Sequence, residues 1–287
     1  MKPPPFRYHD PRTVSDVVAL LATHDNARLL AGGQSLMPML AMRYVLPDHV
    51  IDLNKVEGLA GIKERGAELS IGAMTRQRDL EFSDLIKTRC PLMHEAIRHV
   101  GHRQTRNRGT IGGSLCHLDP SAELVSVAAA HDASIHIAGP KGARTISFAE
   151  FPAGYMTPAI ATDECVVAVD IPCWPAGHGY GFVEFSRRHG DFAIVSASAL
   201  LEGKNGKIVR ASLTLGGIAS TPQRLPVAEK MLVGNVGSEA LFREVAETCR
   251  ALEAIGDIHA PAAYRRHLAV VLSRRALVAA FARMAKS

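Results

Sequence analysis

Apolar positions recur along the chain first at helical and then at strand spacing, and the switches between the two mark most of the elements. Behind Thr13, residues Val14, Val17, Val18 and Leu21 fall on one face, which predicts a helix capped by Thr13, with Asp16 near its positive end, closing at His24 to Asn26. Ala27 to Ala31 reads as a short buried strand that runs into Gly32-Gly33, and Leu36 to Leu40 as the start of a helix with Pro38 in its first turn. Strands are predicted at Val50–Leu53 and, as a hairpin around Arg65-Gly66, at Leu59–Ile62 and Leu69–Ile71. Thr75 should cap a short helix through Leu80, and Pro91 should open one whose face is Leu92, Ala96, Ile97 and Val100, stopped by Gly101. Asp119-Pro120 reads as cap and first turn of a helix presenting Leu124, Val125, Val127 and Ala128.

A second hairpin is predicted from Ala133–Ala138 and Ala143–Ile146, followed by a strand at Cys165–Val169 stopped by Pro172. Trp174 to Gly179 reads as a linker. Beyond it, 182–185, 193–201 and 207–215 form an antiparallel meander, its last pair turning at Gly203 to Gly206. Helices at 238–252 and 261–285 finish the chain, the latter with Leu268, Val271, Leu272, Leu277 and Val278 as an apolar stripe. Helices mixed with hairpins, without repeating strand–helix–strand units, predict an α+β fold in two domains, 1–175 and 176–287.

Composition narrows the class. Among 287 residues, 47% are hydrophobic and 21% charged, as in ordinary folded domains, and no apolar run approaches a membrane span. The start, Met1 to Phe6, carries prolines in place of an apolar signal region, so a cytoplasmic location is expected. The net charge of +5 is spread thinly apart from the basic loop His102-Arg103-Gln104-Thr105-Arg106-Asn107-Arg108, which suits a local anionic ligand better than a nucleic acid. Five single cysteines with no Cys-x-x-Cys pair exclude a zinc ribbon, a redox dithiol and a resident iron–sulfur cluster. His94, His99, His102 and His117 lack metal-ligand spacing, and no Ser–His–Asp arrangement is legible, so neither a metal ligand nor a catalytic residue is expected.

The chemistry concentrates in two stretches, Ala31-Gly32-Gly33-Gln34-Ser35 and Thr110-Ile111-Gly112-Gly113-Ser114. Paired glycines let the backbone turn sharply and present several N–H groups to an anion, with a following helix adding partial positive charge. Either stretch alone is equally well an ordinary tight turn. The dinucleotide fingerprint Gly-x-Gly-x-x-Gly and the phosphate-binding Gly-x-x-x-x-Gly-Lys-Ser/Thr loop are both absent, so two loops converging on one pyrophosphate fit better than a nicotinamide-type domain.

Together with the lead-in Arg106 to Gly109, the follow-on Asp119-Pro120-x-x-Glu123, and the segments Ile71–Thr75 and Arg187–Ala193, these stretches resemble the FAD motifs of the medium subunits of molybdenum hydroxylases. That family includes the xanthine dehydrogenase and carbon monoxide dehydrogenase flavoproteins, and the likeness runs along the whole chain. It implies a two-subdomain FAD-binding domain of the vanillyl-alcohol-oxidase (PCMH) type, then a smaller domain with an antiparallel three-stranded sheet and helices. It implies that Ala31, Gly32, Gly33, Gln34, Ser35 and Leu36, with Thr110, Ile111, Gly112, Gly113 and Ser114, cradle FAD mainly through backbone N–H groups. Glu123 or Asp119 would meet a cofactor hydroxyl, although helix capping accounts equally for Asp119. Phe192 would cover a flavin face where the family commonly has tyrosine, and Ser114 stands where asparagine is common.

The resemblance further implies partners: a large subunit with a molybdenum–pterin cofactor and a small subunit with two 2Fe–2S clusters, assembled as a dimer of heterotrimers. Electrons would pass from those clusters through FAD to an external acceptor. A scaffold subunit with an empty flavin site and a stand-alone FAD-dependent oxidase are the alternatives.

Overall fold

The computed structural model describes residues 2–284. At the N-terminus, β1 (Arg7–His9), α1 (Val14–Thr23), β2 (Ala27–Leu30), α2 (Leu36–Ala41) and β3 (His49–Asp52) form a small unit whose parallel sheet has the order β1-β3-β2. Thr13 caps α1 as expected, accepting from the Asp16 N–H at 3.1 Å, and Val17 and Leu21 pack on Ile51 and Leu53. The first strand was not legible, because only three residues between prolines and polar groups carry it.

Next, β4 (Ile62–Arg65) and β5 (Glu68–Gly72) form the predicted hairpin, although its first strand begins at Ile62 and not at Leu59, which is buried in the N-terminal core. A helical region follows: α3 (Gln77–Phe82), α4 (Asp84–Arg89), α5 (Pro91–Ile97), α6 (Arg103–Arg108), α7 (Ile111–His117) and α8 (Glu123–Ala130). The structure corrects three expectations here. Thr75 does not cap α3; Arg76 holds the cap position, and the Thr75 hydroxyl bonds Gly61 instead. The basic stretch is not a loop, since residues 103–108 form α6. Asp119 does not cap α8, which starts at Glu123 behind Ala122; its carboxylate accepts from the Ser121 N–H at 2.9 Å in a local turn.

The chain then adds β6 (Ser134–Gly139), β7 (Gly142–Ser147), the short pair β8 (Pro152–Gly154) and β9 (Thr157–Pro158), and β10 (Cys165–Pro172). An antiparallel sheet of order β4-β5-β10-β6-β7 results, with Ile71, Ile135, Ile137, Val169 and Ile171 buried against α5, α7 and α8.

The C-terminal part comprises β11 (Gly179–Phe185), β12 (Val195–Lys204), β13 (Lys207–Gly216), β14 (Gln223–Arg224), α9 (Pro226–Leu232), α10 (Glu239–Glu247) and α11 (Ala262–Arg283). The predicted meander is present, but the sheet has four strands, because β14 pairs with β13 at Thr214 and Leu215. The helix expected to reach residue 252 ends as a 3₁₀ turn at Thr248–Ala251. On α11, Leu268, Leu272 and Leu277 are buried as expected; Val278 is exposed, and Ala269, Ala276 and Ala280 take the remaining contact face. The expectation for this helix at Ala285 lies outside the described residues, as does that for Met1.

Residues 174–179 are not a free linker. Trp174 is buried, with the Arg210 guanidinium 4.1 Å from its ring centroid, and His178 bonds the Pro175 carbonyl. Phe182 and Leu200 join the core built around the five-stranded sheet, and the Ser212 hydroxyl donates to the Ala130 carbonyl at 2.7 Å. The two halves therefore share a packed seam, which fixes the loops between them.

Candidate functional site

At the carboxyl end of β2 the chain leaves the sheet through Ala31–Ser35, the edge where parallel α/β units bind ligands. Gly33 sits at φ +72°, a left-handed conformation that disfavours any side chain. Gly32 is needed for a different reason: a Cβ there would strike the Arg108 carbonyl and the Gly109 backbone. Among the described residues, no backbone N–H from Gly32 through Leu36 is engaged in a hydrogen bond. The Ser35 side chain does not cap α2, and its hydroxyl is likewise uncommitted.

Two residues that the sequence reading missed hold this loop in place. Asn54 donates through Nδ2 to the Ala31 carbonyl at 3.0 Å, and Arg76 donates to both Asn54 Oδ1 and the Arg108 carbonyl. Burial, then the charge of Arg108, pulls the Arg76 guanidinium below its usual range. Neither residue belongs to a glycine-rich or charged run, and only the adjacent Ile71–Thr75 segment could have drawn attention to Arg76.

The second stretch is built differently from the expectation. Gly112 and Gly113 lie inside the first turn of α7, and Thr110 is its N-cap, accepting from the Gly113 N–H at 3.1 Å. The Ile111 N–H bonds the Thr75 carbonyl, Gly112 N–H bonds Ala73 at 2.8 Å, and Ser114 N–H bonds Thr110. These donors are committed within the protein, which corrects the reading that both stretches offer free backbone N–H groups. Gly112 permits close packing on Ala73, while a Cβ at Gly113 would strike the capping Thr110 hydroxyl and touch the Ala31 methyl group. The second stretch thus buttresses the first, leaving the Thr110 N–H and the Ser114 hydroxyl as uncommitted polar groups among the described residues.

The basic segment divides similarly. Arg106 is consumed by Glu81, at 2.9 and 3.3 Å, and by the Val100 carbonyl, whereas Arg103 and Arg108 remain exposed. The His102 ring closes against Gly190, so the β11–β12 connection, which carries the 60% exposed Phe192, lies beside this segment.

Glu123 and Asp119 separate clearly. Asp119 is half-buried, with one carboxylate oxygen on the Ser121 N–H. Glu123 is enclosed by protein, and burial, followed by the nearby Glu184 carboxylate, pushes its pKa up to about 8. Glu184 Oε1 lies 3.3 Å from His99 Nδ1, and its Oε2 has no partner. Glu123 is thus a buried carboxyl in the first turn of α8, set near Glu184.

This two-part cradle has known counterparts. Residues 4–174 match the family described as the FAD binding domain in molybdopterin dehydrogenase, and residues 180–280 match the CO dehydrogenase flavoprotein C-terminal domain. The chain therefore belongs to the family of FAD-binding medium subunits of molybdenum hydroxylases, which are oxidoreductase subunits. It is 36% identical to the carbon monoxide dehydrogenase medium chain of Afipia carboxidovorans over 99% of both chains. With the nicotine 6-hydroxylase medium subunit of Paenarthrobacter nicotinovorans it shares 38% identity, over 99% of this chain and 100% of that one. Its structure superposes on the carbon monoxide dehydrogenase of Hydrogenophaga pseudoflava, in a form lacking the Mo-pyranopterin moiety, with a TM-score of 0.97 at 35% identity, covering 99% of this chain and 100% of that one.

Proposed function

We propose that the chain is the FAD-carrying electron-transfer subunit of a molybdenum-containing hydroxylase or dehydrogenase. The observation that carries this reading is the run of five uncommitted N–H groups from Gly32 through Leu36, held open by Gly33 and backed by the second stretch. Such a row of donors fits a pyrophosphate, which demands several hydrogen bonds at close approach.

Ala31, Gly32, Gly33, Gln34, Ser35 and Leu36 would hold the phosphates, while Asn54 and Arg76 fix the loop and Arg76 and Arg108 offset the anionic charge. Thr110, Ile111, Gly112 and Gly113 set the shape of the cradle, with Ser114 contributing its hydroxyl. Asp119 or Glu123 would meet a cofactor hydroxyl, and Phe192 would cover the apolar ring system. When bound, FAD supplies the redox chemistry by which electrons from iron–sulfur clusters on a partner pass to an external acceptor.

No residue of this chain is assigned to substrate chemistry, which belongs to a large subunit with the molybdenum–pterin cofactor. A small subunit carries two 2Fe–2S clusters, and the assembly is a dimer of heterotrimers. The five free thiols support this division of labour, and they support a cytoplasmic location. No described helix is long and apolar enough to cross a membrane. We assign 1–175 to a PCMH-type FAD-binding domain of two subdomains and 176–287 to the smaller C-terminal domain; the separate matches to 4–174 and 180–280 support the division.

The test is to purify the chain with its partner subunits and record the absorption spectrum. Flavin bands at one FAD per chain are expected. A folded, complete assembly without them would overturn the proposal in favour of a scaffold subunit, and an active, cluster-free monomer would favour a stand-alone oxidase.

A further inference from the structure

His9 at the end of β1, His24 at the C-cap of α1 and His49 at the start of β3 meet at one point, although they are far apart in sequence. His9 Nε2 and His49 Nδ1 lie 2.9 Å apart, and the His24 and His49 rings stack at 4.0 Å with 6° between their planes. One ligand nitrogen from each residue lies within 4.8 Å of the other two. All three rings are half-buried. His24 and His49 precede or begin parallel strands β2 and β3, so the cluster sits at the opposite end of this sheet from the glycine loop.

From this juxtaposition we infer that His9, His24 and His49 form a site for a divalent transition-metal ion, distinct from the flavin cradle. The ion class follows from the donors: neutral imidazoles suit Zn²⁺, Ni²⁺ or Cu²⁺ rather than Mg²⁺ or Ca²⁺, which prefer oxygen. Three protein nitrogens leave a fourth position for water. The protonation state is already suitable. A 2.9 Å N···N contact has room for one proton, so His9 and His49 cannot both be protonated at these atoms.

The geometric demand is small. Zn–N bonds of about 2.1 Å place tetrahedral ligand nitrogens about 3.4 Å apart, so no pair need close by more than roughly 1.4 Å, the His9–His49 pair must open by roughly 0.5 Å, and the His24 and His49 rings must tilt from parallel. His24 can supply this movement, because it stands outside α1 in extended backbone. The bound ion would pin the end of α1 to two strands, β1 and β3, of the sheet it covers.

The test uses the full-length chain, stripped with a chelator and then titrated with Zn²⁺ by calorimetry and with Co²⁺ by visible absorption. We expect one saturable equivalent per chain, Co²⁺ bands of a nitrogen-ligated ion, and a rise in thermal midpoint on Zn²⁺ addition. His24→Ala, which leaves the strands untouched, should weaken binding at least tenfold and abolish the rise. His49→Asn should do the same, and His259→Ala, at an exposed position outside the cluster, should not. Absence of a saturable equivalent, or unchanged affinity in a folded His24→Ala chain, would overturn the inference.

Discussion

Glu123 shows how one buried residue ties folding to pH. Its pKa rises from the usual 4.5 to about 8, chiefly through burial and then through Glu184. Between those values the folded chain keeps a proton that the unfolded chain has released, so the unfolded state binds fewer protons and stability falls as pH rises. Replacing Glu123 with Gln removes this titration. Denaturant unfolding at both ends of that window should show Glu123→Gln with a flatter pH dependence and a gain on the order of 4 kcal/mol at the alkaline end. Parallel wild-type and variant profiles would show that Glu123 does not carry the effect. Of this residue's behaviour, only its place near a helix start was legible; the Glu184 carboxylate beside it comes from a strand far along the chain.

Among the elements, α7 and the loop after β2 act as one part, because Gly32 meets Arg108 and Gly109 while Gly113 meets Ala31. Gly32→Ala forces a methyl group into backbone and should cost about 1–3 kcal/mol, measurable as a lowered denaturation midpoint, with flavin lost as the loop is displaced. An unchanged midpoint would contradict the packing. The strand running into Gly32, the capped α1 and the hairpins were legible because their apolar spacing and turn residues agree locally. By contrast, α6 was hidden: Arg103 to Arg108 has no apolar face, and tertiary contacts such as Arg106 with Glu81 support it. Asp119-Pro120 misled for a local reason, since a carboxylate that bonds the N–H two residues on serves a turn as well as a helix cap. The glycines of the second stretch drew attention correctly, but spacing could not reveal that Ala73, Thr75 and Thr110 already claim their donors.

Across the whole molecule, the seam between the halves depends on a few residues that reach far along the chain. Arg224 donates to the Ala129 carbonyl at 3.0 Å and to Asp132 at 2.6 Å, and it pairs with Glu229 at 2.8 Å on its own side. Arg283 similarly reaches Glu95 and the Tyr180 carbonyl. Both halves should therefore unfold in one calorimetric transition. Arg224→Ala should destabilise that transition by about 1–2 kcal/mol, because it removes the bonds to Ala129 and Asp132 and leaves the Glu229 carboxylate with only the Leu213 N–H; two separated transitions in the wild type would refute the coupling. The seam also holds the β11–β12 connection against α6, bringing Phe192 and the glycine cradle onto one assembled surface.

The central claim is that the N–H groups from Gly32 through Leu36 bind the phosphates of FAD, and Gly33 is its most exposed point. At φ +72° a valine is strained by roughly 1–2 kcal/mol or more, so the Gly33→Val loop must abandon the donor arrangement while the sheet beneath it keeps its core. Equilibrium FAD binding, measured on wild type and Gly33→Val chains with matching circular dichroism, should show affinity reduced at least tenfold in the variant. Full flavin occupancy in a folded Gly33→Val chain would contradict the account.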